Sequence, residues 1–181
     1  DTLKNVENYF NDPSLVSNSS FFLPYLSGER TPHNDPHIRG SFHAMKTTTD
    51  ATNMQYAVIE GVSFGILDGV NSILKVNDNI EKVFMVGGGS RSSFWIELIA
   101  SLLERNLSVC DQSEYGAALG VARLAMHVDK NIQDQNNIIK EIKISKEYKP
   151  QFDSIDLLKK RYKIWKDLYS SNKKIAPTLL A

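Results

Sequence analysis

The sequence predicts an α/β domain, in which helices pack against a sheet. Two observations favour this class. Short apolar runs typical of buried strands alternate with stretches of helical periodicity over residues 41–127. In addition, a glycine turn at residues 87–89 joins one such strand to the following helix, which is where several α/β folds bind nucleotides. With 181 residues, of which 41% are hydrophobic and 23% charged, the chain is long enough for one domain with its own core.

The first fifty residues predict little regular structure. Residues 1–10 fit a short helix, and residues 11–20 fit a polar loop. A brief strand is expected at residues 21–23, because three apolar residues precede a proline there. Residues 24–40 predict a long loop, since proline, glycine and small polar residues cluster in them, and loops of this length are usually functional or disordered. A second strand is expected at residues 41–45.

Residues 50–75 carry the clearest helical pattern, with apolar residues three and four positions apart and Asp50 as the predicted N-cap. Gly61, Gly65 and Gly69 follow one another at intervals of one turn on the apolar stripe. A glycine within a helix costs about 1 kcal/mol relative to alanine. Three glycines on one face therefore predict that another backbone approaches this face closely.

Two further strand–helix units complete the predicted α/β region. The expected strands are residues 83–86 and 107–110, and the expected helices are residues 92–105, capped by Ser92, and 114–127. The inward face predicted for the second of these helices consists of Tyr115, Ala118, Leu119, Ala122 and Met126.

The C-terminal part predicts one more helix. Residues 128–151 are polar and are expected to be irregular, whereas residues 154–171 show an amphipathic repeat and should dock on the domain. We therefore expect a single domain over residues 1–181, with its core at about residues 20–127.

The patterns of charged and apolar residues argue against two classes of partner, nucleic acid and membrane. Residues 1–139 carry a net charge of −6 and residues 140–181 a net charge of +6. A basic tail can bind nucleic acid, but no nucleic-acid motif accompanies this one, so we interpret it as the solvated face of the last helix. The apolar stretches are short and interrupted, and we expect no membrane partner. The single cysteine, Cys110, has no internal partner for a disulfide, which favours a cytoplasmic protein.

The glycine turn is the most informative local motif. Gly87, Gly88 and Gly89 stand between a strand and a helix, where backbone N–H groups and the helix dipole can hold a phosphate. A tight turn that needs a positive φ explains the glycines equally well. The turn matches neither the Walker A pattern nor the dinucleotide-binding pattern, so a nucleotide site here requires another type of fold.

Four segments together resemble the C-terminal domain of the FGGY carbohydrate kinases. The first is the long loop, Phe22-Leu-Pro-Tyr-Leu-Ser-Gly-Glu-Arg-Thr-Pro-His-Asn-Asp-Pro36 followed by Arg39-Gly40. The second is residues 40–60, in which Ala44 replaces an expected glycine; glycine is not essential to a strand, so this difference carries little weight. The third is Val86-Gly-Gly-Gly-Ser-Arg-Ser92, and the fourth is Glu114-Tyr-Gly-Ala-Ala-Leu-Gly-Val-Ala122. The resemblance covers roughly residues 20–127.

This resemblance implies a fold and a reaction. The fold would be a ribonuclease-H-like (actin-like ATPase) domain, the C-terminal half of a two-domain sugar kinase. The reaction would transfer the γ-phosphoryl group of ATP to a hydroxyl of a ketose, with ATP and Mg²⁺ as cofactors. In the family the catalytic Asp precedes the region that this chain resembles, so no catalytic residue is expected here, and neither Asp35 nor Asp50 is assigned that role. The isolated chain should accordingly be inactive.

The resemblance also implies a set of nucleotide-binding residues. The three glycine amides would face the ATP phosphates, the serines that follow would reach the phosphates or the adenine, and Gly116 would line the adenine pocket, although close packing explains Gly116 nearly as well. The full set is Gly87, Gly88, Gly89, Ser90, Ser92, Ser93 and Gly116. No metal site is expected in the protein itself, because His33, Asp35 and His37 follow no zinc-binding spacing.

Several alternatives stay open at this point. The sugar would bind with the N-terminal domain of the family, and a homodimer of the full-length enzyme is compatible with the resemblance. Within the family, kinases for gluconate, glycerol or ribulose are alternatives. From another class, the alternative is a non-catalytic, actin-like nucleotide-binding module.

Overall fold

The computed structural model describes residues 2–77, 79–128, 143–151 and 155–175. The helices of this part of the chain are α1 (Thr2–Phe10), α2 (Pro13–Ser17), α3 (Ala51–Leu74), α4 (Ser93–Leu103), α5 (Gly116–Val128) and α6 (Ile155–Ile175). The strands are β1 (Phe21–Leu23), β2 (Ser41–His43), β3 (Val83–Met85), β4 (Leu107–Cys110) and β5 (Ile144–Tyr148). Two short 3₁₀ turns cover Gly88–Arg91 and Ser113–Tyr115.

The described strands form two sheets. β1 and β2 pair antiparallel, with Phe22 opposite Phe42. In the second sheet β4 is central: β3 pairs with it in parallel, with Met85 opposite Val109, and β5 pairs with it antiparallel. Because β3 and β4 are parallel, their carboxyl ends meet at one edge of the sheet. Both 3₁₀ turns begin at this edge.

Helix α3 lies at the centre of the molecule. Its N-cap is Asp50, whose carboxylate accepts the Asn53 amide at 2.8 Å, as the sequence predicts. A Cβ at Gly61 would overlap the carbonyl group of Phe22 in β1, so the predicted close approach of a backbone is confirmed there. At Gly65 and Gly69 the nearest atoms lie 3.7 and 3.9 Å from such a Cβ, and neither position requires glycine for reasons of space.

By length and composition alone, α3 is apolar enough to cross a membrane. The core helix of a folded domain can pass the same test. In this structure α3 packs against β1, α1 and α4. Its buried Glu60 is ion-paired with Arg161 of α6. These contacts favour the core-helix interpretation.

Helix α6 is fastened to α3 by this buried ion pair. Arg161 donates to both carboxylate oxygens of Glu60, at 2.6 and 2.7 Å, and to the carbonyl oxygens of Ser19 and Ser20. Tyr56 adds a hydroxyl donor to the same carboxylate at 2.9 Å. The core around these groups combines residues of α1, β1, α3, α4 and α6, so the N-terminal and C-terminal segments share one apolar cluster.

Three features of the fold differ from the sequence-based predictions. Residues 11–20 are not all loop, because Pro13–Ser17 forms α2, for which the Asp12 carboxylate accepts the Ser14 and Leu15 amides. Residues 128–151 are not all irregular, because β5 occupies Ile144–Tyr148; residues 129–142 lie outside the described residues. The strand expected at residues 41–45 ends at His43, since Ala44 adopts a φ of 56°. That left-handed conformation favours glycine, which gives the glycine expected from the family a physical reason.

The predicted inward face of α5 is wrong. Tyr115 and Met126 are 56% and 53% exposed, and Ala118 and Ala122 are exposed as well. Only Leu119 of the predicted set is half-buried. The helix is apolar on nearly every side, so its periodicity does not identify one buried face.

Candidate functional site

The glycine turn after β3 and the turn after β4 lie side by side at the carboxyl edge of the three-stranded sheet. Gly87 adopts a φ of 84°, a conformation that glycine reaches without steric cost. The chain then forms the 3₁₀ turn Gly88–Arg91, and Ser92 caps α4 by accepting the Trp95 amide at 3.3 Å. The turn therefore leads directly into the N-terminus of an 11-residue helix.

One side of the glycine turn faces open space. A Cβ placed on Gly87 or Gly88 would meet no atom within 4 Å. In the part of the chain that the structure describes, the amide N–H groups of Gly88 and Gly89 donate to no acceptor. Two adjacent free amides at the start of a helical turn are able to donate to an anion.

The other side of the turn is packed. A Cβ on Gly89 would lie 2.9 Å from the indole ring of Trp95 and 3.0 Å from the methyl group of Met85. The indole N–H of Trp95 in turn donates to the hydroxyl of Ser63 in α3 at 2.8 Å. The turn thus rests on an aromatic ring that the central helix holds in place.

Gly87 and Ser90 are engaged in internal hydrogen bonds. The Gly87 amide donates to the carbonyl oxygen of Ser113 at 2.8 Å, and the Ser90 hydroxyl donates to the carbonyl oxygen of Gly87 at the same distance. The Ser113 hydroxyl donates to Ser90 Oγ at 2.8 Å. Of the three glycine amides expected to face phosphates, those of Gly88 and Gly89 are therefore the ones left without a partner in the described residues.

An ion pair joins the same two turns. Arg91 Nε donates to Glu114 Oε2 across the entrance to α5. The hydrogen bond from Arg91 lowers the pKa of the Glu114 carboxyl, and Glu114 raises the pKa of the Arg91 guanidinium. The pair therefore remains charged at neutral pH.

The remaining predicted site residues lie near the turn but have different contacts. Ser92 uses its hydroxyl oxygen as the cap of α4. The Ser93 hydroxyl is hydrogen-bonded to the Tyr148 hydroxyl of β5 at 2.9 Å. A Cβ on Gly116 would lie 3.4 Å from Val86 Cβ, so the small residue brings the start of α5 close to the strand end before the turn. The structure thus groups Gly116 with the glycine turn and places Ser93 against β5.

Residues of the long loop are occupied in holding the loop itself. The Asp35 carboxylate accepts the amides of His37 and Ile38 and the hydroxyl of Tyr169 in α6. The His33 ring stacks on Tyr169 with ring centroids 3.5 Å apart. Among the described residues no group of three or more His, Cys, Asp and Glu side chains could hold a metal ion.

Ser113 cannot be identified from the sequence. No motif marks it, because its contact with the turn depends on β3 and β4 lying side by side, and 25 residues separate Gly87 from Ser113 in the chain. The contact of Trp95 beneath Gly89 also depends on the fold, and no motif in the sequence marks it.

The family model and the relatives that match this chain point to the same family of proteins. The family model of the C-terminal domain of the FGGY family of carbohydrate kinases matches residues 5–128. The xylulose kinase of Escherichia coli is 38% identical over 105 residues, which are 58% of this chain and 22% of that protein. The xylulose kinase of Staphylococcus epidermidis is 28% identical over 167 residues, which are 92% of this chain and 34% of that protein.

Solved structures agree in fold. A xyloylose kinase from Brucella ovis superposes with a TM-score of 0.72 and 29% identity, covering 96% of this chain and 38% of its own. A ligand-bound xylulose kinase from Lactobacillus acidophilus gives a TM-score of 0.75 at 24% identity, covering 99% and 36%. The chain therefore spans about a third of the length of these relatives. Its fold is that of the actin-like ATPase C-terminal domain of sugar kinases, and the chain belongs to the FGGY family of carbohydrate kinases.

Proposed function

We propose that this chain is the ATP-binding C-terminal domain of a xylulokinase. The complete enzyme would transfer the γ-phosphoryl group of ATP to D-xylulose and give D-xylulose 5-phosphate in the cytoplasm. The names of the relatives support the substrate. The observation that carries the nucleotide assignment is the pair of free amides at Gly88 and Gly89 at the start of a helical turn, of which Gly88 borders open space.

The geometry of the turn suits phosphate oxygens. The backbone amides of Gly88 and Gly89 have no acceptor among the described residues, and the N-terminal end of α4 adds a favourable potential for negative charge. Phosphoryl transfer depends mainly on positioning and on electrostatic stabilisation of the phosphoryl group, so a rigid donor site is the contribution required of this domain.

Mg²⁺ fits this proposal without a protein cage. A Mg²⁺ ion that accompanies ATP is held mostly by the phosphates and water and needs few protein ligands. The ion would neutralise charge on the transferred group when bound. We assign no residue of this chain to it.

The catalytic base and most of the sugar site belong, in this proposal, to an N-terminal domain. The two carboxylates of this chain considered for the role are committed elsewhere: Asp50 caps α3, and Asp35 organises the long loop. The proposed partners are accordingly the sugar and that domain, whose closure over the turn would exclude water. Whether the complete enzyme forms a homodimer is a separate question, which sedimentation of the full-length protein would answer.

Titration calorimetry with Mg-ATP tests the nucleotide assignment. Gly88→Val adds a side chain beside the free amides whose Cβ meets no protein atom within 4 Å, so the variant should fold and bind ATP at least about tenfold more weakly. Gly120→Ala is the matched control, because its added Cβ also meets open space but lies within α5. Equal affinity of wild type and Gly88→Val would contradict the assignment of the turn. Absence of binding by the wild type would contradict an ATP site in this chain alone.

Other sugars of the family are less favoured. A gluconate kinase from Lactobacillus acidophilus and a glycerol kinase from Plasmodium falciparum share the fold, at 24% and 18% identity. Relatives from Staphylococcus epidermidis, Bacillus subtilis and Lactococcus lactis, each matched over more than 90% of this chain, are xylulose kinases. A panel of sugars on the full-length enzyme, with D-xylulose, D-ribulose, gluconate and glycerol, distinguishes these substrates.

A further inference from the structure

Ser113 lies outside the glycine turn in sequence and controls its shape in space. We propose that Ser113 is a positioning residue for the nucleotide: through Gly87 and Ser90 it holds the turn in the conformation that leaves the Gly88 and Gly89 amides free. This inference rests on the proposed ATP site.

Both backbone groups of Gly87 are tied to Ser113. The Gly87 amide donates directly to the Ser113 carbonyl oxygen at 2.8 Å. The Gly87 carbonyl oxygen accepts the Ser90 hydroxyl at 2.8 Å and the Ser90 amide at 3.1 Å. The Ser90 hydroxyl in turn accepts a hydrogen bond from the Ser113 hydroxyl at 2.8 Å, which orients its own proton toward Gly87.

The location of Ser113 makes this contact rigid. Ser113 is only 9% exposed. It begins a 3₁₀ turn, and the preceding residue, Gln112, adopts the left-handed conformation with a φ of 59°. The Tyr115 amide closes that turn on the Gln112 carbonyl oxygen at 3.0 Å. The Arg91–Glu114 ion pair supplies a second connection between the same two segments.

The flexibility of the glycine turn makes hydrogen bonds to a fixed neighbour necessary. Gly87 and its two glycine neighbours have many accessible backbone conformations, and only some of them aim two amides at one point. A turn already fixed before the ligand arrives avoids the entropic cost of ordering it on binding. The consequence is an effect on ATP affinity from a residue that does not need to touch ATP.

The test compares Ser113→Ala with Ser113→Thr and Ser72→Ala. Ser113→Ala removes the hydroxyl donor and keeps the backbone carbonyl, whereas Ser113→Thr keeps the hydroxyl. Ser72→Ala is the control for hydroxyl loss, because the Ser72 hydroxyl donates to the Asp68 carbonyl oxygen within α3. Two quantities are measured for the 181-residue chain: amide hydrogen exchange of residues 86–92 without nucleotide, and the Kd for Mg-ATP by calorimetry.

We expect faster exchange of residues 86–92 in Ser113→Ala and an increase in Kd of about threefold to tenfold, as for the loss of one hydrogen bond. Ser113→Thr should restore both values, and Ser72→Ala should change neither. Unchanged exchange, or faster exchange with unchanged ATP affinity in a wild type that binds, overturns the inference. A wild type that binds no ATP while Ser113→Ala still exchanges faster overturns the proposed function and leaves the positioning of the turn by Ser113 supported.

Discussion

At the scale of single residues, Gly61 and Gly120 show how the same residue type meets different surroundings. Gly61 faces the carbonyl group of Phe22, and Gly120 faces open space. We predict that Gly61→Ala lowers the free energy of unfolding by about 1–3 kcal/mol, because the backbone of β1 must move. Gly120→Ala should raise it by about 0.5–1 kcal/mol, because alanine is the better helix former. Urea denaturation of the two variants measures both values, and a change of the same sign at both positions would contradict this interpretation.

Residue-level predictions from sequence succeed where the cause is local. The spacing of Gly61, Gly65 and Gly69 indicated a close backbone, and the strand–helix context of Gly87 left a turn with a positive φ and a phosphate site as alternatives. The φ of 84° confirms the first of these for Gly87. Local patterns do not show which of the three helix glycines is required, and they do not show the contact between Ser113 and the turn. Both depend on contacts between distant parts of the chain.

At the scale of elements, the Glu60–Arg161 pair determines how α6 is held on α3. Burial opposes the charge on Arg161, but the hydrogen bonds and the charge of Glu60 raise the pKa of its guanidinium. We predict that Arg161→Met lowers the free energy of unfolding by about 3–5 kcal/mol, because it leaves a buried carboxylate without its partner. The double variant Glu60→Met/Arg161→Met should recover most of that loss. Thermal and urea denaturation check this pair of variants, and equal destabilisation by the single and the double change would count against it.

Elements were predictable where hydrophobic periodicity is strong. α3, α4, β3 and β4 lie close to their expected positions because each buries an apolar face or run. β5 was missed because its sequence, Ile-Ser-Lys-Glu-Tyr, is mostly polar, and what makes it a strand is its antiparallel pairing with β4, in which Tyr148 lies opposite Leu107. The inward face of α5 was mispredicted because a helix that is apolar on nearly every side does not mark one buried face in its sequence.

At the scale of the whole molecule, α5 exposes apolar side chains, and the chain is much shorter than its relatives. Val121 and Leu124 of α5 are 67% and 69% exposed, and the chain corresponds to about a third of its relatives. Exposed apolar side chains on one helix are suited to contact with another domain, which the proposed N-terminal domain would supply.

The last prediction concerns the activity of that part. The isolated chain should bind Mg-ATP through the glycine turn and yet phosphorylate no D-xylulose, because the catalytic base and most of the sugar site are proposed to belong to an N-terminal domain. Correct positioning of the reacting groups alone accounts for about 7–11 kcal/mol of a reaction barrier, so their loss should leave turnover below detection. A coupled assay for ADP formation with and without D-xylulose measures this, with the full-length kinase as the positive control. Sugar-dependent ADP formation by the 181-residue chain would show that the base lies within it, and the assignment of Asp35 and Asp50 to structural roles would then have to be revised first.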